Sequence, residues 1–287
     1  MHLRIHADDF GISPGVTRAI TRCIDEGALN SVSVVANGAG FDDAIVALKA
    51  RPHVAVSVHL NLVEQPPLSP RAEVSRLLDH RGDLSNSFAS LTRAYGPRGV
   101  SADLRTQIRR ELAAQVSRVR TALGPHVPLR LDSHGHLHHI PYVFAVTAEI
   151  ARDLGANGVR LVHEPFFLGP RQTIPGIGRH FLLNALAAPH RRKLGRNDWF
   201  VGALLSGRMS VEALDMALAR VHRRVGHSAE VEVLFHPGEA DPSEKGIWPE
   251  RPDLVTYYLS PWHRREAAVL CSEAMRASVS RWTMPSH

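Results

Sequence analysis

Short β-branched runs alternate with stretches of helical periodicity along most of the chain, and this alternation limits the fold more than any single residue does. Leu3–Ala7 reads as a strand and Pro14–Glu26 as a helix whose apolar face carries Val16, Ala19, Ile20 and Cys23. Ser31–Ala36 and Val54–Leu60 repeat the strand pattern, with Phe41–Ala50 as the helix between them. Ala102–Leu123 is a long amphipathic helix, with Ser101 as its cap and Gly124–Pro125 as its stop. Leu129–Ser133, Gly158–Val162, Trp199–Val201 and Glu230–Phe235 supply further strands. Tyr142–Leu154, behind Pro141, Val211–Val225 and Trp262–Val279 supply further helices. The Gly- and Pro-containing loop 163–199 yields no clear element before Trp199.

Alternating strands and helices build parallel βα units with the helices outside. Six or seven units in 287 residues point to an α/β fold, a closed or nearly closed TIM-like (β/α) barrel, in a single domain spanning 1–287. A dinucleotide-binding doubly wound sheet fits less well, because the loop DDFGISPG after the first strand lacks the glycine spacing of that fingerprint. No P-loop is present in the sequence.

Composition removes several classes. A hydrophobic share of 44% with 34 Lys plus Arg against 28 Asp plus Glu is incompatible with a mainly disordered chain. Cys23 and Cys271 lie at opposite ends of the sequence, which excludes a disulfide framework and a cysteine-based zinc site. No apolar run approaches the roughly 18 residues needed to span a bilayer. The opening MHLRIHADDFG places carboxylates where a signal peptide needs its apolar core, so a cytoplasmic location is expected. Arginine pairs such as Arg109–Arg110, Arg223–Arg224 and Arg264–Arg265 come without any nucleic-acid-binding motif, and they read as solvated helix faces. A homodimer is the expected assembly of a soluble enzyme.

The histidines, 18 in all, are the more informative excess. Asp8 and Asp9 follow the first strand, His59 ends the third, Asp132 and His134 end the fourth, and His236 follows the last. Arg160 lies on the predicted fifth strand. All sit at carboxyl ends of strands, the rim on which barrel enzymes assemble their sites. Asp8 and Asp9 are not needed as helix caps, since Ser13 already precedes Pro14, and adjacent carboxylates call for a cation or a shared proton. In DSHGHLHH an extended backbone would point His134, His136 and His138 to one side, with His139 opposite; a polar loop of surface histidines is the structural alternative. Trp248, Trp262, Tyr257 and Tyr258 suit either a sugar-stacking surface or anchoring in the core.

One Asp and two His make a three-ligand site for a divalent cation, which lowers the pKa of a bound water and polarises a carbonyl. A second carboxylate then serves as base and a histidine as acid, which suits hydrolysis of an amide with a small acyl group. No G-x-S-x-G elbow supports serine catalysis.

ADDFGISPGV at Ala7–Val16, VHLNL at Val58–Leu62 and LDSHGHLHHIP at Leu131–Pro141, in this order, resemble the YdjC/ChbG family of carbohydrate deacetylases. The resemblance runs from residue 3 to about residue 240 and implies a distorted (β/α) barrel. It implies one divalent metal ion, Mg²⁺ or Zn²⁺, held by Asp9, His59 and His134. Asp8 would be the general base and His236 the general acid. Arg160 would lie near the base, and His136 and His138 would contact substrate or support the ligands from outside. The implied reaction removes the N-acetyl group from an N-acetylated amino sugar, free, oligomeric or attached to a carrier. A two-metal phosphoesterase and a non-catalytic sugar-binding protein are the competing readings. The segment 60–74 and the stretch Phe166–Trp199 match nothing in the family pattern, and such rim loops choose the sugar.

Overall fold

A computed structural model describes residues 1–95, 99–169, 171–194 and 198–283, without side chains for 192–194. Six strands form one parallel sheet: β1 (His2–Phe10), β2 (Ser31–Val34), β3 (Ala55–Leu60), β4 (Leu129–Ser133), β5 (Trp199–Val201) and β6 (Glu230–Phe235). Their order is β4-β3-β2-β1-β6-β5. Both faces are covered, as a parallel sheet requires. The main apolar core runs from Met1 to Met275 and includes the fully buried Ile5, Phe10 and Phe235, and a smaller cluster forms around Val162, Leu183, Phe200 and Leu234. Burying each of these side chains contributes about 1.5–3 kcal/mol.

The helices follow the local signals in the sequence. Pro14–Glu26 starts where the Ser13 side chain accepts the N–H of Val16. Ala102–Leu123 starts where the Ser101 hydroxyl accepts the N–H of Leu104. The buried face of that second helix carries Leu104, Ile108, Leu112, Val116 and Val119. Its polar residues hold the loop after β3. Gln115 bonds both the N–H and the carbonyl of Asn61, at 2.8 and 2.7 Å, and Glu111 accepts the N–H groups of Leu68 and Ser69 at 3.1 and 2.9 Å.

The structure departs from the sequence reading in several elements. Gly158–Val162 is not a strand; it makes one isolated bridge, Leu131 to Val159. Imidazoles take the backbone groups that a ladder would use: His138 Nε2–H donates to the Arg160 carbonyl at 3.1 Å, and His139 Nε2 accepts the Val162 N–H at 3.2 Å. The sheet is therefore a curled half-barrel whose edges are joined only irregularly. Leu131 N–H reaches the Gly158 carbonyl on the β4 side, and Phe200 N–H reaches the His163 carbonyl on the β5 side.

The loop 163–199 contains a helix, Ile174–Leu194, whose Thr173 hydroxyl accepts the Gly176 N–H at 3.1 Å. Residues 170 and 195–197 of that loop lie outside the described residues. Trp262–Val279 is two helices, Pro261–Leu270 and Glu273–Thr283, because the Ser272 hydroxyl caps the second by accepting the Met275 N–H. Finally, Cys23 and Cys271 meet: both thiols are free, and their sulfurs lie 3.8 Å apart. Among the described residues no helix is long and apolar enough to cross a membrane.

Candidate active site

Asp8 and Asp9 belong to the end of β1, where an unbroken strand would send neighbouring side chains to opposite faces. The pairing of β1 with β2 slips by one residue between Ala7 and Phe10, and Asp9 adopts a left-handed φ of 67°. This bulge turns both carboxylates into one pocket. A non-glycine residue in that conformation is strained, and such strain concentrates at functional sites.

Asp9 Oδ1 lies 3.4 Å from His59 Nε2 and 2.8 Å from His134 Nδ1. One donor atom from each of these three residues falls within 4.8 Å of the others. His59 extends from β3 and donates from Nδ1–H to Asp132 Oδ1 at 2.7 Å. His134 opens a 3₁₀ helix, His134–His139, in which Gly135 and His136 have φ of 59° and 56°. The extended backbone expected for DSHGHLHH is therefore absent, and the histidines do not share one side. His136, His138 and His139 are buried instead of lying on the surface. Ser133 and the Arg160 carbonyl hold His138, while His136 stands edge-on to Phe200.

Asp8 receives a two-pronged pair from Arg160, with Nη1 to Oδ2 at 3.0 Å and Nη2 to Oδ1 at 2.9 Å. Arg160 also reaches Asp132 at 3.0 Å and Glu232 at 2.5 Å. His6 lies 3.3 Å from Asp8, and its two ring nitrogens are each 2.7 Å from the hydroxyls of Ser31 and Ser33. Ser33 in turn donates to Asp132. His236 Nε2 stands 4.0 Å from Asp8 Oδ2, and its Nδ1 is buried without a partner. Its backbone is fixed on both sides: Glu266 accepts its N–H at 2.6 Å, and its carbonyl accepts from His263 at 2.6 Å.

The electrostatics follow from burial set against charge. Burial favours neutral Asp8 and Asp9, but Arg160, His59 and His6 outweigh it at Asp8, and His134 and His59 outweigh it at Asp9. Both are held well below the usual carboxylate range. Burial would lower His59, yet the carboxylates of Asp8, Asp132 and Asp9 push it up to about 10. His236 goes the other way: burial exceeds the attraction of Asp8 and Asp9 and lowers it to about 4. Burial raises Glu266 to about 7 against the backbone N–H groups of His236 and Met209.

The donor set of Asp9, His59 and His134 fits a divalent cation. Its three donor atoms converge, and the outward nitrogen of His59 faces a carboxylate, as ligand imidazoles require. Asp8, Asp9, Glu64, Asp132 and Glu232 are buried acids at or near the pocket, and the buried guanidinium of Arg160 bonds Asp8, Asp132 and Glu232. A second group of His6, Asp8 and Asp132 could hold a metal by distance alone, but Arg160 already bonds both of its carboxylates.

The sequence reading missed His6, Ser33, Glu64 and Glu232, and gave Asp132 no role. A signal was present: His6 and Asp8, Ser31 and Ser33, Ser57 and His59, and Arg130 and Asp132 alternate along their strands at the two-residue period of one sheet face. The aromatic residues follow the anchoring alternative where the structure decides. Trp248 and Tyr258 are buried and stack at 4.4 Å between ring centroids. A cavity of about 330 Å³ opens at the opposite end of the sheet, beside Arg4, Arg130 and Trp199. Two of its lining arginines are paired, Arg4 with Glu232 and Arg130 with Asp198, and Asp9, His59 and His134 do not line it.

The YdjC-like protein family matches residues 2–281. Human carbohydrate deacetylase is 32% identical over 295 residues, covering 98% of this chain and 88% of its own. A chitooligosaccharide deacetylase of Klebsiella pneumoniae is 29% identical over 279 residues, covering 97% of this chain and 94% of its own. A solved structure from Enterococcus faecalis, described in terms of cellobiose-phosphate cleavage, superimposes with a TM-score of 0.68 over 99% of this chain and 95% of its own. At 21% identity that likeness speaks for the fold alone. With residues 2–281 matched, and with Asp9, His59 and His134 of the three motifs gathered in one pocket, the chain belongs to the YdjC-like protein family.

Proposed function

We propose that this protein is a carbohydrate N-deacetylase that uses one divalent metal ion to hydrolyse the acetamide of an N-acetylated amino sugar. The observation that carries this reading is the convergence of Asp9, His59 and His134 beside a second carboxylate, Asp8, in a chain whose relatives are named carbohydrate and chitooligosaccharide deacetylases. Asp9, His59 and His134 would hold the ion; a donor set of two nitrogens and one oxygen accepts Zn²⁺ and also harder cations such as Mg²⁺. When bound, the ion supplies Lewis acidity at the amide carbonyl and to the attacking water.

The remaining steps belong to side chains of this chain. Asp8, held anionic by Arg160, accepts the proton that leaves the attacking water. His236 is neutral at pH 7, and its Nε2 lies 4.0 Å from Asp8, so it can take that proton on and deliver it to the departing nitrogen. Water oxygen bonds to the acetyl carbon, the C–N bond breaks, and acetate and a free amine result. Arg160 fixes Asp8 and Asp132 together, and Asp132 fixes the ring of His59. Glu266 and His263 hold the backbone of His236. His138 supports the segment that carries Arg160.

We read the curled sheet as a distorted barrel, the whole of 1–287 as one domain, and its setting as the cytoplasm. Arg160 occupies the space between the carboxylates that a second ion would need, which disfavours a two-metal phosphoesterase. The test is acetate release from a panel of N-acetylglucosamine oligomers, with chelated protein and with each divalent cation restored. Cation-dependent release is expected. Sugar binding without release from any substrate would turn the reading towards a binding protein.

A further inference from the structure

His59 has Asp132 behind it, but the carboxylate behind His134 comes from outside the family motifs. Glu64 is 1% exposed, and its Oε1 lies 3.4 Å from His134 Nε2. A carboxylate is costly to bury and needs strong partners. Two come from the far end of the chain: Tyr258 donates to Oε1 at 2.8 Å, and the Trp248 indole N–H donates to Oε2. The backbone of Glu64 is fixed as well, its carbonyl accepting from Asn61 at 2.9 Å and Asn37 at 3.2 Å. This side chain is held at both ends and presented to one imidazole nitrogen.

We propose that Glu64 is a positioning residue for the cation site, accepting the His134 Nε2–H so that Nδ1 is the nitrogen turned toward Asp9, and that Trp248 and Tyr258 set its aim. This inference rests on the metal reading given above. With Nε2 carrying the hydrogen toward Glu64, the lone pair of a neutral ring stands at Nδ1, the atom 2.8 Å from Asp9 Oδ1. The segment 242–258 then acts on the site through Glu64, with no ligand of its own.

The test is the dissociation constant of Zn²⁺ and of Co²⁺ for the full chain, by competition with a chromophoric chelator, together with the visible spectrum of the Co²⁺ form. Glu64→Gln is expected to weaken both ions by about 10–100-fold, the range found when outer partners of ligand histidines are removed. It should also change the Co²⁺ spectrum. Tyr258→Phe keeps the ring and removes one donor to Glu64; it is expected to weaken binding a few-fold with the metal-free melting temperature close to wild type. Glu64→Asp should recover part of the loss. Wild-type affinity and spectrum in both Glu64→Gln and Tyr258→Phe would overturn the inference and leave the metal reading intact. Wild-type protein that binds neither ion would overturn the metal reading and this inference with it.

Discussion

His134 and His138 stand four residues apart in one 3₁₀ helix, yet they face opposite kinds of surroundings. His134 points to the carboxylates of Asp9 and Glu64, which raise its pKa against the effect of burial. His138 is fully buried, shares its surroundings with His139, His136 and Arg160, and is held well below the ordinary histidine range by burial first and by these neighbours after it. The left-handed turn at Gly135 and His136 separates the two. Sequence proximity therefore says little about which imidazole can serve a metal; a converging carboxylate does. His138 and His139 serve the backbone of segment 158–163 instead.

Substitutions can break this contrast from either side. The largest effect is expected on the carboxylate side: Asp8→Asn should lower kcat by about 10²–10⁴-fold, measured as acetate release. A cation should still bind, since Asp8 is not among the three converging ligands.

The next effect belongs to the buried imidazoles and depends on pH. Burial, with Arg160, lowers His139 to about 3 from the ordinary 6.5. Because the folded value lies below the unfolded one, the stability contributed by neutral His139 is fully present above about pH 6.5. It is lost as pH falls toward 3. Chemical denaturation in a pH series should show a loss of several kcal/mol over that window, less in His139→Phe. A stability that does not change between pH 6.5 and 4 would contradict the account of this cluster.

His138→Ala comes next. It takes the imidazole donor from the Arg160 carbonyl and the imidazole acceptor from the Ser133 O–H, which keeps only the backbone N–H of residue 138, and should destabilise the fold by about 1–3 kcal/mol, read from denaturant midpoints. Metal binding should persist. The smallest effect lies outside both regions: Ser101→Ala removes a helix cap, should cost about 1 kcal/mol, and should leave acetate release unchanged.

The sequence showed some features clearly and hid others for physical reasons. Pro14–Glu26, Ala102–Leu123 and Val211–Val225 are helices at the expected bounds, because a serine cap and a continuous apolar stripe mark each one locally. Trp199–Val201 and Glu230–Phe235 are strands as expected. Gly158–Val162 has strand-like residues, but its fate was decided by His138 and His139, some twenty residues away. In the helix Ile174–Leu194 the cap Thr173 was obscured by Pro175, Gly176 and Gly178 among its first five residues. Asp8, Asp9, His59, His134 and His236 were visible as polar residues at strand ends. That both aspartates enter one pocket depends on a bulge, which no composition reveals. The closeness of Cys23 to Cys271, and of Glu64 to Trp248, likewise depends on contacts across most of the chain.

The most direct measurement is the number of transition-metal ions retained per chain, by elemental analysis after Zn²⁺ loading and desalting, for wild type, His134→Ala and His138→Ala. One ion in wild type, a loss of retained metal in His134→Ala and one ion in His138→Ala are the predicted results. Equal retention in the two variants, or two ions in wild type, would contradict the assignment of Asp9, His59 and His134 as the single metal site.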